Sequence, residues 1–493
     1  MEEMFIIDTI AQWVVILCLA YYGMTNLQWY NYSFKRVLLM HHKWQWHIYY
    51  FILPLAVYVG SVFIQEPLSS YMLIGLSIIY FIAIAIWAIQ LDKRLNFTQR
   101  VLKFFVIFFI FMSFNEALCY ILDVNSRLFD LMPLVFASII SKIYENILLN
   151  RYIILAKEKL DIMSRLIIIG VTGSYGKTSM KNFLAQILKE KYRVYATPRS
   201  VNTHTGIVAD INQNLDYITE IYIIEAGARL KGDIALISQF LNPHYAVIGE
   251  VGEQHLEYFK SLENIVETKF ELLQSSRLKK AFVFKDNPKS PHIEPNITKK
   301  IQYFPENVRN IDANLDGTSF ELFIKGEWHH FETMVLGVFN VVNLSAAIYM
   351  GVELGLQVEE IQKAVKRIEP IPHRLNKIQT HQKLIIDDGF NGNLKGMKEA
   401  IRLCSLYQGR KIIVTPGIVE STKEANIELA QAIDKVFDIV IITGELNAKI
   451  LSKHIYNTQK ITLKDKSMLE DMLKSCSQAH DLVLFSNDAP SYI

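Results

Sequence analysis

The run Gly173-Ser174-Tyr175-Gly176-Lys177-Thr178-Ser179 combines residue types that hold phosphate. Two glycines let backbone N–H groups converge on one anion without a Cβ in the way. A helix opening at Lys177 would present its positive end, Lys177 adds a point charge for the outer phosphates, and the Thr178 hydroxyl suits Mg²⁺. The common nucleotide loop has about four residues between its glycines. Here only Ser174 and Tyr175 separate Gly173 from Gly176, and Gly170 stands one residue too far back, so the spacing is that of a shorter variant.

Three further residues carry groups that such a loop can use. Glu225 closes the apolar run Ile221-Tyr222-Ile223-Ile224, which places a carboxylate at a strand end, as a Mg²⁺ ligand or as a solvated cap. His255, in Gly252-Glu-Gln-His255-Leu-Glu-Tyr-Phe, can ligate a metal or satisfy a loop. Lys269, in Glu267-Thr-Lys269-Phe-Glu271, lies in a helical stretch where a solvated lysine is the default reading.

These residues need a sheet rim to bring them together, and the pattern supplies one. Ile167 to Thr172 reads as a strand leading into the loop, and Met180, Phe183, Leu184, Ile187 and Leu188 form the apolar stripe of a helix packed on a sheet. Further strands are expected over Arg193 to Thr197, Ile221 to Glu225, Tyr245 to Glu250 and Lys280 to Phe284, alternating with helices. That is a parallel α/β sheet whose ligands sit beyond the carboxyl ends of its strands. Lys383 to Asp387, Lys411 to Thr415, Phe437 to Thr443 and Asp481 to Phe485 alternate with helices such as Leu394 to Cys404 and predict a second α/β domain.

Composition shifts sharply along the 493 residues. The net charge of +2 argues against a nucleic-acid partner, and the four cysteines, spread far apart, read as reduced thiols without metal-ligand spacing. The first 150 residues are rich in Phe, Ile, Leu, Tyr and Trp. Phe5 to Tyr22, Ile48 to Ile64, Tyr71 to Gln90 and Phe104 to Leu122 have the length to cross a bilayer. A fifth run, Leu131 to Ile147, is weaker because it carries Lys142 and Glu145, whose spacing permits them to pair on one helix face. The first run does not read as a cleaved leader, since Glu2 and Glu3 replace the usual basic start. Loop charge favours five spans. Lys35, Arg36, Lys43, Lys93, Arg94, Arg100, Lys103, Arg151, Lys157 and Lys159 fall on one side, against Arg127 alone on the other, where Glu2, Glu3, Glu66, Asp123 and Asp130 lie. By the positive-inside rule the ten basic residues and the nucleotide loop are then cytoplasmic. Asn115 and Glu116 inside the fourth span mark either an intramembrane site or a polar contact between helices. Trp13, Trp29, Trp44, Trp46 and Trp87 lie mostly toward span ends, as interfacial anchors would.

Taken in order, Thr172 to Thr178, Asn202-Thr-His-Thr-Gly206, Glu225-Ala-Gly, His255-Leu-Glu-Tyr-Phe, Lys269-Phe-Glu271, Gly337-Val-Phe-Asn340-Val-Val-Asn343, Pro372-His-Arg374 and Asp387-Asp388-Gly-Phe-Asn391-Gly-Asn393 resemble the Mur ligases, the ADP-forming amide ligases that build the peptidoglycan stem peptide. The resemblance runs from about residue 165 to 490. The His-Leu-Glu-aromatic and Asp-Asp-Gly-Phe-Asn-Gly-Asn strings look most like the branch that adds D-alanyl-D-alanine to UDP-N-acetylmuramoyl-tripeptide. The Asp-Asn-Pro-Arg signature of the branch adding the third residue is not found.

The resemblance implies a multidomain chain: a transmembrane helical bundle over 1–150, a P-loop-type ATP domain over 151–371 and a Rossmann-like closing domain over 372–493. It implies ATP and two Mg²⁺ ions, with Thr172, Gly173, Ser174, Tyr175, Gly176, Lys177, Thr178 and Ser179 around the phosphates and Asn340 and Asn343 near the adenine. Lys177 and Arg374 would neutralise phosphate oxygens, Asn202 would contact the acyl-phosphate region, and Asp388 would meet the ribose or the domain interface. Thr178 and Glu225 would hold one ion, and His255 and a carbamylated Lys269 a second. Soluble members carry a globular UDP-binding domain where this chain has apolar runs, so the bundle is expected to tether the ligase at the bacterial cytoplasmic membrane, beside peptidoglycan enzymes there. A Mur-like subunit of an amidotransferase is the alternative. An ATP-driven transporter would need a Leu-Ser-Gly-Gly-Gln signature or an Asp-Glu pair after a strand, and neither occurs.

Overall fold

The structure, a computed structural model, describes residues 2–488 apart from 31, 40, 42, 92, 123, 199, 200, 255, 381, 391 and 420. The chain divides into two compact units, Met1–Arg151 and Tyr152–Ile493.

The first unit is helical. Among the described residues four helices are long and apolar enough to cross a membrane: Ile6–Trp29, Leu68–Ile89, Gln99–Leu122 and Leu131–Ile162. The expected span Ile48 to Ile64 is not among them. Its residues form a π-helical turn, Ile48–Ile52, followed by the helix Leu53–Ser61. Pro54 lies at the start of that helix; without an N–H it cannot donate to the preceding turn, which suits the change of hydrogen-bond pattern there. The weaker fifth run is instead the longest helix of the unit, with 32 residues. Glu145 pairs with Arg100 (3.8 Å) rather than with Lys142, and Lys103 donates to Tyr144 Oη at 3.1 Å.

Side-chain contacts give the unit two ends. At one, buried Arg127 meets Asp8, Glu66, Ser69 and Ser70, while Asp130 accepts from Tyr58 (2.5 Å) and Asn115 (2.9 Å). At the other, Trp29 Nε1 donates to Lys93 O (2.9 Å), the Gln28 side chain exchanges hydrogen bonds with the Asn96 backbone, and the Arg100 guanidinium covers the Tyr32 ring at 3.6 Å. Tyr22 Oη and His47 Nδ1 lie 2.8 Å apart toward this second end. The stretch Gln45–Ser61 therefore runs between the ends as the four long helices do, and successive runs alternate in direction. Glu116 accepts from Trp13 Nε1 of the first helix at 3.3 Å, and Asn115 donates to Asp130 in the turn before the last helix, so both side chains make polar contacts within the bundle.

Among its described residues the second unit holds two six-stranded sheets and a small three-stranded one. The first sheet comprises β1 (Ile167–Thr172), β2 (Val194–Ala196), β3 (Ile221–Glu225), β4 (Tyr245–Ile248), β5 (Lys280–Phe284) and β6 (Ile301–Phe304), all parallel, in the order β2-β3-β1-β4-β5-β6. Its apolar residues alternate between faces, as strand pleating requires. Ile169, Val171, Ile221, Ile223 and Phe282 pack with Met180, Phe183 and Ile187 of the helix Lys177–Leu188 and with the helix Val338–Glu353. Ile168, Tyr222, Ile224, Ala246 and Val283 pack on the other side with Ile211, Ile237 and Ile265. Both faces are covered, which explains strands that read as unbroken apolar runs.

An antiparallel meander, β7 (Val308–Asn314), β8 (Gly317–Ile324) and β9 (Glu327–Thr333), follows. The last sheet contains β10 (Asn376–Gln379), β11 (Leu384–Asp388), β12 (Lys411–Thr415), β13 (Ile439–Thr443), β14 (Gln459–Leu463) and β15 (Leu482–Ser486), in the order β10-β11-β15-β12-β13-β14. Only β10 is antiparallel to its neighbour. Both sheets belong to one compact unit.

Phe183 is 1% exposed and fills the space between the first sheet and the helix that begins at the loop. Phe183→Ala is expected to destabilise the protein by about 3–5 kcal/mol, read as an earlier midpoint in a denaturant titration followed by tryptophan fluorescence.

Candidate functional site

The loop after β1 lies between the carboxyl ends of β3 and β4. Gly173 (φ +149°) and Gly176 (φ +74°) turn the chain, and Gly176 is the residue from which the helix Lys177–Leu188 starts. A Cβ at Gly176 would stand 2.4 Å from Asn343 Oδ1, and one at Gly173 3.2 Å from the Gly249 backbone, so the glycines serve both conformation and space. The edges of the loop are tied down: Thr172 Oγ1 donates to Ala226 O (2.8 Å), Gly249 N to Thr172 O (2.8 Å), and Ser174 N and Tyr175 N to Glu250 O (2.8 and 3.1 Å). Asn287 fixes the 249–251 turn in its place, accepting from Val251 N and donating to Gly249 O, each at 2.8 Å. The N–H groups of the first helical turn have no partner within the helix, and together with the positive end of its dipole they suit an anion. Lys177 Nζ lies back over the loop, donating to Gly173 O (2.8 Å) and Ser174 O (2.9 Å).

Glu225, at the end of β3 and 4% exposed, reaches the same helix. Its Oε2 accepts from Thr178 Oγ1 at 3.0 Å and lies 3.5 Å from Lys181 Nζ, and its N–H donates to Thr197 Oγ1 at 3.3 Å. Hydroxyl and carboxylate oxygens side by side are hard donors of the kind Mg²⁺ prefers. Lys269, in the last turn of the helix Leu262–Phe270, is 4% exposed rather than solvated. Burial pushes its pKa down to about 7, the Lys177 charge adds to the shift, and Asp233, Glu225 and Glu271 oppose it. Lys177 is lowered to about 8 by burial; Glu225 opposes the shift and Arg374 adds to it.

Of the other expected residues, Asn202, Asn340 and Asn343 stand beside this loop, whereas Arg374 and Asp388 belong to the start of the last sheet, with Arg374 near enough to Lys177 to act on its charge. Asn202 O accepts from Gly227 N at 2.8 Å, and a Cβ on Gly227 would touch the Asn202 side chain, so Asn202 stands beside the turn after Glu225. Asn340 and Asn343, at the start of the helix Val338–Glu353, are joined by a 3.0 Å hydrogen bond, with Asn343 against Gly176. Arg374 donates to Phe390 O at 2.9 Å and its guanidinium lies 4.8 Å from the centre of the Phe390 ring. His373 (φ +61°) and Leu375 (φ +48°) flank it in the left-handed region, a costly conformation for residues with a Cβ. Asp388 is buried; burial raises its pKa to about 6 against the pull of Arg374, and Leu375 N donates to its Oδ1 at 3.1 Å. Ser179 is buried in the first turn of the loop helix. His255 lies outside the described residues, and no group of three His, Cys, Asp or Glu suited to a metal occurs among those described.

Several residues at the site had no clear sequence signal. Lys181 sits one turn beyond Lys177 and was hidden by the apolar stripe around it. Asn287 acts from after β5. Glu271, by contrast, closes the Lys269-Phe-Glu271 string, and the structure shows it capping the helix Asp233–Leu241, accepting from Gly232 N (2.8 Å) and Ala235 N (2.9 Å). Lys395, from the helix after β11, meets Glu250 at 3.2 Å on the surface.

The Mur ligase middle domain family matches residues 171–351. The UDP-N-acetylmuramoyl-tripeptide–D-alanyl-D-alanine ligase of Bacillus subtilis is 31% identical over 336 residues, which cover 64% of this chain and 72% of that protein. The ligase of the same name from Buchnera aphidicola (subspecies Acyrthosiphon pisum) is 27% identical over 349 residues, 62% and 76% of the two chains. Among solved structures, MurF from Acinetobacter baumannii aligns with a TM-score of 0.60 at 23% identity, covering 68% of this chain and 77% of that one. MurF ligase from Thermotoga maritima in complex with ADP aligns with a TM-score of 0.59 at 24% identity, covering 69% and 80%. These structures share the fold.

Gly176→Ala places a methyl group into Asn343 and forces a left-handed residue. The variant is expected to weaken ADP binding by about tenfold or more, measured by calorimetric titration of the full-length protein.

Proposed function

The chain belongs to the Mur ligase family, and from that premise we infer that it is an ATP-dependent, ADP-forming ligase that joins D-alanyl-D-alanine to UDP-N-acetylmuramoyl-tripeptide in the synthesis of peptidoglycan precursors. The similarity to the Bacillus subtilis ligase across most of that enzyme carries the reading, and the meeting of Lys177, Thr178 and Glu225 at one strand rim gives it a chemical basis. Among the described residues no feature favours an amidotransferase subunit.

A carboxylate resists attack by an amine because its leaving group would be oxide. Phosphorylation by ATP turns that oxygen into a phosphate, which the amine then displaces through a tetrahedral intermediate. Bringing a carboxylate to a polyphosphate requires concentrated positive charge. On this reading residues 151–371 form the ATP domain, where Lys177 swings from its loop carbonyls to the phosphates, held by Thr172 to Ser179. Arg374, at the junction with a closing domain of residues 372–493, comes to the same phosphates, and Asp388 sets its position. Asn202 addresses the acyl group, and Asn340 and Asn343 border the nucleotide. Thr178 and Glu225 hold one Mg²⁺, and His255 and Lys269 a second; the ions supply charge neutralisation. Lys269 takes up CO₂ as a carbamate, its neutral amine attacking the carbon and losing a proton. The buried ammonium, which would repel a cation, becomes an anionic oxygen ligand.

The first unit, on the same reading, anchors the enzyme in the cytoplasmic membrane. It contains four helices of sufficient length and apolarity, and its Lys93 and Arg100 end is the cationic one, as a cytoplasmic face would be. The anchor holds the ligase beside the lipid and the membrane enzymes that consume its product.

Purified protein in detergent is expected to release ADP only when UDP-N-acetylmuramoyl-tripeptide and D-alanyl-D-alanine are both present; release with either alone would contradict the assignment. Lys269→Ala is expected to lower kcat by about 10²-fold or more, and stripping CO₂ from the wild-type assay to cause a loss that bicarbonate reverses.

A further inference from the structure

Lys181 is a buried cation outside the expected machinery. It is 2% exposed, one helical turn beyond Lys177. Its Nζ lies 2.6 Å from Thr197 O, 3.4 Å from Pro198 O and 3.5 Å from Glu225 Oε2. An ammonium has three donors, and three acceptors are arranged around this one. Burying a lysine is costly, and an apolar side chain of similar volume would fill the space more cheaply if packing were all that was required.

We propose that Lys181 is a positioning residue for the metal-binding carboxylate: by holding Glu225 Oε2 from beneath the loop helix, it fixes the direction in which Glu225 faces Mg²⁺. The inference rests on Glu225 being a Mg²⁺ ligand. Thr178 Oγ1 and Lys181 address the same oxygen, Oε2, from one helix. A carboxylate held at one oxygen has its other oxygen set in direction, so the ligand is prearranged rather than selected from rotamers. Lys181 also links this carboxylate to a second part of the site. The Thr197 carbonyl that it holds belongs to the residue whose hydroxyl accepts from Glu225 N, and the same segment leads on to Asn202. One ammonium thus ties together the end of β3, the loop helix and the approach to Asn202. Groups that orient a metal ligand typically change metal affinity by about 10- to 100-fold when removed.

The test is calorimetric titration of full-length protein with ADP, once in EDTA and once in Mg²⁺, the ratio of the two affinities giving the metal coupling. Lys181→Met is expected to reduce that coupling by about tenfold while leaving metal-free ADP affinity within about twofold. Lys181→Arg, which keeps a cation, restores most of the coupling. Glu225→Gln abolishes it, and the Glu225→Gln/Lys181→Met pair behaves like Glu225→Gln alone, because the lysine acts through the carboxylate. Wild-type coupling in Lys181→Met, or an equal loss of ADP affinity with and without Mg²⁺, overturns the role of Lys181. Unchanged coupling in Glu225→Gln instead overturns the metal assignment on which it rests. Where Lys181→Met does not fold because Glu225 is left unpaired, the double variant removes that charge. Metal-free ADP affinity well below that of Glu225→Gln would then overturn the proposal, and equal affinity would support it.

Discussion

Positive charge confined to a small, largely dry space is the constraint from which the second unit follows. Burial works against the charged form of Lys177, Lys181 and Lys269 alike, Arg374 adds to the burden on Lys177, and Lys177 to that on Lys269. Glu225 is the carboxylate whose attraction offsets the shift in all three. Such burial lowers the stability of the fold; Lys177, whose Nζ lies over the loop, is the cation placed to attract an anion, whereas Lys181 is taken up by Glu225 and two backbone carbonyls. A phosphate beside the loop would offset the charge of Lys177.

Sheet order explains how the cluster is assembled. β1 lies in the middle, between β3 and β4, so the loop that follows it has a strand end on either side. The strand end of β3 supplies Glu225, and the turn after β4 supplies the carbonyl that ties Ser174 and Tyr175 in place. A parallel sheet sends all of these ends to one edge, and helices on both faces keep that edge rigid. The cost of tight assembly appears in the glycines. At Gly249 a Cβ would stand 2.3 Å from Met180 Cε, so the end of that side chain would have to move, and at Gly252 one would stand 2.7 Å from the Tyr175 ring, so the covering turn lies close against the loop and its helix.

Much of this was legible in the residues. Ile221–Glu225, Lys280–Phe284 and Lys411–Thr415 coincide with their expected strands because continuous apolar runs bounded by polar residues have few other uses in an α/β chain. The short edge strands, β6 and β14, and the antiparallel β10 carry mixed polar sequences and gave no such pattern. In the meander, β8 alternates in burial but β7 is mostly exposed, and an antiparallel sheet after a parallel domain has no apolar run to mark its start. At the site, motif order pointed to Lys177, Thr178 and Glu225, whereas Lys181 was invisible. Its role depends on a carboxylate from another strand, and no local spacing records that.

The first unit shows the converse, a pattern that misjudged elements but retained their sense. Hydropathy placed a span over Ile48 to Ile64, where the structure has a π-helical turn and a short helix, and undervalued Leu131 to Ile147 because of two charges. Those charges cost less than their number suggests, since Glu145 finds Arg100 across the helix interface. The alternation of direction survives because it is set by end contacts rather than by helix length. Tyr58 reaches Asp130 at one end and His47 reaches Tyr22 toward the other, so the interrupted stretch still joins the two. An even number of runs would have placed the anionic Asp8 and Glu66 end and the cationic Arg100 end of the chain in conflict with its exit at Arg151; an odd number leaves the basic residues and the exit together.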